Sequence, residues 1–304
     1  MKMNMNLLPV VFSWLAFTQL SAAGIAGDTN KKDAQGLKQG YWVENLGPTK
    51  WEGNYVNDRK EGMWMSHHFN GVLDEMTMFS NDRKNGIDIM VDVNGSFISE
   101  KHYKNDTLNG HAIDFLPGSA GKASSEVYYK MGIYDGTRTV YYSGGGKQEE
   151  AVYNNGKRNG ETKWYYQSGK PATVYIYNMD NRSGPYQSFY ENGNICSKGL
   201  FKNNEYDGEY LEFYEGGKAK TTGSYKKGLK TGEWKYYAED GRLKSDGSYS
   251  EDKKTGKWVD YNDDFTQLTT TKYSNGKVQG IPDVKKVTPP PIPPDTSAKP
   301  DDKK

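Results

Sequence analysis

Along most of this chain, aromatic residues stand two and five positions after a glycine, mostly polar residues separate them, and the pattern begins again about 24 residues later. Glycines at 40, 62, 86, 110, 136, 160, 184, 208, 232, 256 and 280 set the register, with steps of 22, 24, 24, 26 and then six of 24 residues. Seven residues before each following glycine stands Tyr55, Phe79, Tyr103, Tyr129, Tyr153, Tyr177, Phe201, Tyr225, Tyr249 or Tyr273. With the module glycine counted as place one, a second glycine recurs at place ten, as Gly71, Gly95, Gly145, Gly169, Gly193, Gly217 and Gly241. Asn94-Gly95, Asn192-Gly193 and Asp240-Gly241 supply the positive-φ chemistry of a tight turn. Each module therefore reads as one hairpin. Its first strand runs Gly-x-aromatic-x-x-aromatic, as in Gly232–Trp234–Tyr237, and its second ends on the aromatic that precedes the next glycine by seven.

A lone two-stranded hairpin is marginal in water, so each module must pair with its neighbours. The predicted fold is all-β, an elongated meander of antiparallel hairpins in a single twisted layer over residues 40–280. Modules one and four differ in length, and the last carries Asp264 and Phe265 where others have the turn glycine, so loops should differ there.

Consecutive strand residues project to opposite faces, and equal places in successive modules line up in rows. Tyr210, Trp234 and Trp258 form one such row, and Phe213, Tyr237 and Tyr261 another. A single-layer sheet has no other core, so most rings are expected to shield it. The rest are expected to face a partner, with Trp164, Tyr166, Tyr190, Tyr214 and Tyr236 as candidates. In the pair Tyr236-Tyr237, Tyr237 is expected to pack and Tyr236 to be available.

Composition agrees with a thin sheet. Leu, Ile, Val and Phe make up only about 16% of the 304 residues, below the floor for a thick aliphatic core, yet 24 Tyr and 7 Trp exclude an ordinary disordered chain. The net charge of +1 leaves no electrostatic footprint for nucleic acid. The two ends have other signatures. Residues 1–23 carry Lys2, an apolar stretch Leu7–Leu20 and the small residues Ser21-Ala22-Ala23, the pattern of a cleaved secretory signal. That stretch is shorter than the roughly 20 residues a membrane span needs. Residues 24–39 read as a short linker, and 281–304, with seven of the twelve prolines, as a polyproline or disordered tail.

No constellation points to catalysis, a metal or a cofactor. The adjacent His67 and His68 occupy places six and seven, where other modules carry two aromatics, and they read as ring substitutes. Cys196 has no histidine beside it in module space, and a single cysteine makes no internal disulfide. Gly144-Gly145-Gly146 lacks the following helix and Lys-Ser/Thr ending of a phosphate loop and reads as a hairpin turn.

Modules such as Gly-Glu-Thr-Lys-Trp-Tyr-Tyr-Gln-Ser-Gly-Lys at 160–170 resemble the bacterial variant of the MORN repeat, and the resemblance covers about residues 40–280. It implies a hairpin sheet used for scaffolding, protein contact or contact with membrane surfaces. Some bacterial members are similar to antitoxin components of toxin–antitoxin modules. The expected function is an exported, non-catalytic scaffold in the cell envelope or outside the cell, binding a protein partner through a sheet face or edge. The alternatives are an aromatic-cage binder of cell-wall or membrane ligands, or a toxin-neutralising protein.

Overall fold

The computed structural model describes residues 29–47 and 49–294. The expected signal segment, and the tail beyond residue 294, lie outside the described residues. Every regular element described is a strand, and each recorded pairing joins strands adjacent in the chain and is antiparallel.

The chain divides into two units. The first comprises residues up to Gly95 together with Tyr103–Asp106, and the second comprises Ser96–His102 and Thr107 onwards. In the first unit, β1 (Lys31–Lys32), β2 (Lys38–Leu46), β3 (Thr49–Val56), β4 (Arg59–His67), β5 (Leu73–Ser80) and β6 (Arg83–Val91) form a meander. Strand β7 (Phe97–Lys104) contributes residues to both units. The second unit continues with β8 (Thr107–Phe115), β9 (Ala123–Lys130), β10 (Ile133–Tyr141), β11 (Lys147–Asn154) and β12 (Lys157–Tyr165). Next come β13 (Pro171–Asn178), β14 (Asn181–Phe189), β15 (Ile195–Lys202), β16 (Glu205–Phe213) and β17 (Ala219–Lys226). Its last strands are β18 (Leu229–Tyr237), β19 (Leu243–Ser250), β20 (Lys253–Tyr261), β21 (Gln267–Ser274) and β22 (Lys277–Lys286). The predicted hairpin meander is thus present in each unit.

Two kinds of turn alternate. At the expected tips, a type I turn is followed by the place-ten glycine in the left-handed region; Gly193, at φ 97°, closes one such tip, with Tyr190 N donating to Asn194 O at 2.8 Å. Phe265 takes this conformation in the last module, at φ 62°. The second kind joins one module to the next and was not anticipated. Pairs such as Asn57-Asp58, Asn81-Asp82, Asn155-Gly156 and Asn203-Asn204 have positive φ at both residues, the two-residue turn whose twist suits a hairpin.

The module glycine is therefore not at the start of its strand. From β4 onward it is the fourth residue, and around it the ladder slips by a bulge, as between Ala151↔Thr162 and Tyr153↔Arg158. One part of the expected tail is regular structure. Residues 281–286 belong to β22, because Gln267–Leu268 of β21 find their partners at Lys286 and Lys285.

Hydrogen bonds tie successive modules at both edges. At the two-residue turns, Asp82 N donates to Lys60 O at 3.0 Å while Lys60 N donates back to Asp82 Oδ1 at 2.7 Å, and the same pair recurs at Asp106 with Lys84, Asp180 with Arg158 and Asp252 with Lys230. Each module thus satisfies backbone groups of the one before it.

Candidate binding faces

One face of each unit carries the core. Rings at place three and rings seven residues before the next glycine interleave edge to face. In the first unit Trp42, Tyr55 and Trp64 stand 5.8 and 4.9 Å apart; in the second, Tyr210, Tyr225, Trp234, Tyr249 and Trp258 follow at 5.0–6.0 Å between successive centroids. Trp64, Trp234 and Trp258 are fully buried, although among the described residues no second sheet or helix lies over them. Glycine on the preceding strand makes this possible. A Cβ on Gly53, Gly223 or Gly247 would fall within 2.3 Å of the indole carbons of Trp64, Trp234 and Trp258 respectively. Each indole N–H then donates to a backbone carbonyl of that strand, at Asn54, Ser224 and Ser248.

Cations cover the ladder. Two residues before the module glycine stand Lys38, Lys60, Lys84, Arg158, Arg182, Lys230 and Lys254. Lys60 Nζ lies 4.9, 4.3 and 5.2 Å from the Trp51, Trp64 and Phe79 centroids, and burial holds its pKa below the ordinary value. Lys254 Nζ lies 3.9 Å from Trp258, and Lys230 sits over Trp234, Tyr236 and Tyr249. On this ladder the chain's own lysines lie over the rings, where the alternative of an aromatic cage would place a ligand's cation. The basic residue at this fixed offset was visible in the sequence; that its ammonium folds back over the rings was not.

Where the rings are small or missing, charge replaces them. Thr77 and the buried Asp88 take the paired core places in the first unit, and Lys84 bridges Asp88 and Glu75 at 2.8 and 2.9 Å. Burial works against the Lys84 ammonium, but its hydrogen bonds to Asp88 and Glu75 raise its pKa overall. The network is satisfied internally and holds the sheet.

The five candidate partner-binding rings fall among these structural groups. Trp164 packs edge-on against Tyr175 at 5.7 Å. Tyr236 stacks on Trp234 at 6.2 Å, meets Trp258 at 6.4 Å, and its hydroxyl donates to that of Tyr249. The expected division of Tyr236 and Tyr237 is reversed, since Tyr236 is two residues from Trp234 and shares its face. Tyr166, Tyr190 and Tyr214 act as clamps: each hydroxyl reaches the next module and donates to the carbonyl of Phe189, Phe213 and Tyr237 at 2.6–2.7 Å. Tyr142 does the same to Tyr165. In the first unit His68 replaces the tyrosine, its Nε2 at 2.9 Å from the Val91 carbonyl. A carbonyl only accepts, so Nε2 carries the proton and this histidine is a ring substitute, as expected.

The opposite face has different contents. In the first unit it carries Met63, Met65, Met76, Met78, Ile87 and Ile89, all half-buried, brought together by the pairings Met63↔Met78, Met65↔Met76 and Met76↔Ile89. In the second unit it carries the place-six rings, of which Tyr141, Tyr165, Phe189, Phe213 and Tyr237 are half-buried and meet no other ring, whereas Phe115 meets Phe97 at 5.6 Å and Tyr261 meets Phe265 at 5.7 Å. Tyr141 and Tyr165 donate to Glu126 and Glu150 at 3.0 Å, and burial together with these carboxylates pushes both phenols up to about 12. Lys147 in turn holds the Glu150 carboxyl below its ordinary pKa.

Among the described residues, no group of three or more His, Cys, Asp and Glu side chains is placed to hold a metal ion. A cavity of about 370 Å³ beside the long tip at Leu116–Lys122 offers one titratable side chain, Lys122. Cys196 is a half-buried free thiol. Gly144-Gly145-Gly146 closes a tip in the same way as the other modules, with Tyr142 N donating to Gly146 O.

The family described as MORN repeat variant matches residues 158–178, 182–203 and 230–251. Three hairpins of this chain are thus similar to the MORN repeat variant. Each matched MORN segment opens on the cation that covers the ladder, Arg158, Arg182 or Lys230, and continues through the tip into the second strand. No curated protein matches the chain.

Proposed function

We propose that this chain is an exported, non-catalytic repeat scaffold that holds a protein partner against the face of its first unit opposite the aromatic ladder. The Met63–Met65–Met76–Met78–Ile87–Ile89 surface carries this reading. Unbranched thioethers re-pack around partners of different shape, and contiguous half-exposed apolar side chains on a soluble domain mark contact sites. The ladder face is unsuited to the role because its rings are committed to each other and to lysines. MORN-type repeats support a binding rather than a catalytic use of the sheet. Export rests on the Lys2 to Ala23 pattern.

Capture from envelope extract by the tagged chain, compared with Met65→Lys and Met76→Lys variants of unchanged melting temperature, tests the surface. Loss of one specific protein with both variants is expected; unchanged capture refutes it. Mature protein beginning at Gly24 is the expected product of export, and full-length chain in the cytoplasm would overturn that part and favour the toxin-neutralising alternative.

A further inference from the structure

The place-six rings of the second unit form a surface distinct from the methionine face. Tyr165, Phe189, Phe213 and Tyr237 recur on every second strand, β12, β14, β16 and β18. On the strands between and after them, the register partners are Pro171, Ile195, Ala219 and Leu243. Paired residues share a face, so the result is a continuous apolar stripe across eight strands in which a ring alternates with a smaller aliphatic side chain. The rings are spaced by two strand separations, about 9.6 Å.

These rings are also mounted rigidly. The carbonyl of each accepts from the tyrosine hydroxyl of the preceding module, Tyr142 to Tyr165, Tyr166 to Phe189, Tyr190 to Phe213 and Tyr214 to Tyr237, at 2.6–2.7 Å. Beside the stripe stand hydrogen-bonding side chains: Glu150, which already orients the Tyr165 hydroxyl, and Gln187 and Lys198, on register-paired positions of β14 and β15, with Lys198 Nζ 5.8 Å from the centroid of the Phe213 ring. Evenly spaced platforms on pinned backbone, flanked by mixed donors and acceptors with no dominant charge, suit a ligand that repeats, is flat and apolar on one side, and carries hydroxyls at its edges.

We propose that this stripe binds an extended β-1,4-linked polysaccharide, one disaccharide per module. The disaccharide repeat of such a chain matches the two-strand spacing, its axial C–H face suits ring stacking, and its equatorial hydroxyls project to the polar flanks. Sheet twist of about 20–25° per strand turns successive platforms relative to one another, so a straight glycan meets two or three of them.

Retention of the full chain on insoluble chitin and cellulose, and calorimetry with chitobiose and chitohexaose, test the proposal. The hexasaccharide should bind at least about tenfold more tightly than the disaccharide, because only it reaches a second ring. Tyr165→Ala and Phe213→Ala should each weaken hexasaccharide binding by about tenfold at nearly unchanged melting temperature, while Tyr165→Trp restores it. Tyr190→Phe removes the clamp behind Phe213 and keeps every platform ring; it should weaken binding by less than Phe213→Ala does. Absence of retention on both polysaccharides, equal affinity for the two oligosaccharides, retention abolished by moderate salt, or alanine variants that bind as the parent would each overturn the proposal. A protein captured through these rings in place of glycan would overturn it in favour of protein docking. The Met65→Lys and Met76→Lys variants should leave polysaccharide binding intact, which separates this site from the protein-binding face.

Discussion

Substituting alanine for Gly223 reverses the effect usually expected of that change. Glycine inside a strand is ordinarily a weakness, and alanine at a compatible position stabilises by about 0.4–1 kcal/mol through the unfolded chain. Here the new Cβ would lie 2.2 Å from Trp234 Cδ2 and 2.3 Å from Cε2. That ring is 1% exposed, hydrogen-bonded to Ser224 O, and enclosed by Tyr210, Tyr225, Tyr236 and Tyr249. It cannot shift without disturbing a neighbour. Complete expulsion would forfeit about 5 kcal/mol, taking about 200 Å² of ring surface at about 25 cal/mol per Å². Partial displacement costs less, so a net loss of about 2–4 kcal/mol is expected, or a fall in Tm of roughly 5–15 °C for a unit of this size. Gly199→Ala is the graded control, since its nearest contacts are 3.3 Å to Glu209 O and 3.4 Å to Tyr210, and its cost should be small. Gly216→Ala meets nothing within 4 Å and should leave Tm unchanged or slightly raised. Pairing Gly223→Ala with Trp234→Leu should cost less than the two separately, because the smaller side chain vacates the contested space. Thermal melts in which Gly223→Ala equals or exceeds the parent would refute the ring-over-glycine account of the core.

Tyr236→Ala should destabilise by about 2–4 kcal/mol and Tyr237→Ala by less than about 1 kcal/mol, measured by denaturant titration; equal effects would mean that both faces are packed. Tyr190→Phe deletes the bond to the Phe213 carbonyl and leaves an acceptor near the surface, so a loss of about 1 kcal/mol is expected by the same titration. Tyr165, Tyr210 and Tyr249 are each pushed up from the ordinary tyrosine value of 10.0 to about 12, by burial first, so the fold favours their neutral form. That stability is fully present below pH 10, the unfolded value, and is lost as pH rises through 12; Tm should be flat with respect to these groups below pH 10 and fall above it, in step with tyrosinate absorbance. Deleting residues 208–231, one whole module, should leave a soluble β-rich protein by circular dichroism, because the hairpins brought together present equivalent edges; deleting twelve residues should not.

The sequence by itself determined the period, the hairpins, the tips and the rows of rings, because a strand's side chains alternate strictly and a repeat that never loses register must place like residues beside like. It also marked Phe265 and the long tip after Leu116 as irregular, from a missing glycine and two extra residues. What only the tertiary structure decided was which rows are buried. Alternation shows that Tyr236 and Tyr237 face opposite ways but not which of those ways is inward. That depends on whether rings from neighbouring strands meet, and so on a cross-strand register offset by the bulge at module glycines such as Gly62, Gly160 and Gly232. Space for Trp234 exists because Gly223, eleven residues earlier in the chain, comes to lie beneath it; neither residue alone signals the other. The same holds for the tyrosine clamps, whose acceptors are backbone carbonyls 23 residues away, and for the lysines over the ladder. A ring's sequence position fixes its row, and only the neighbouring strands determine whether that row forms the core or remains available to a ligand.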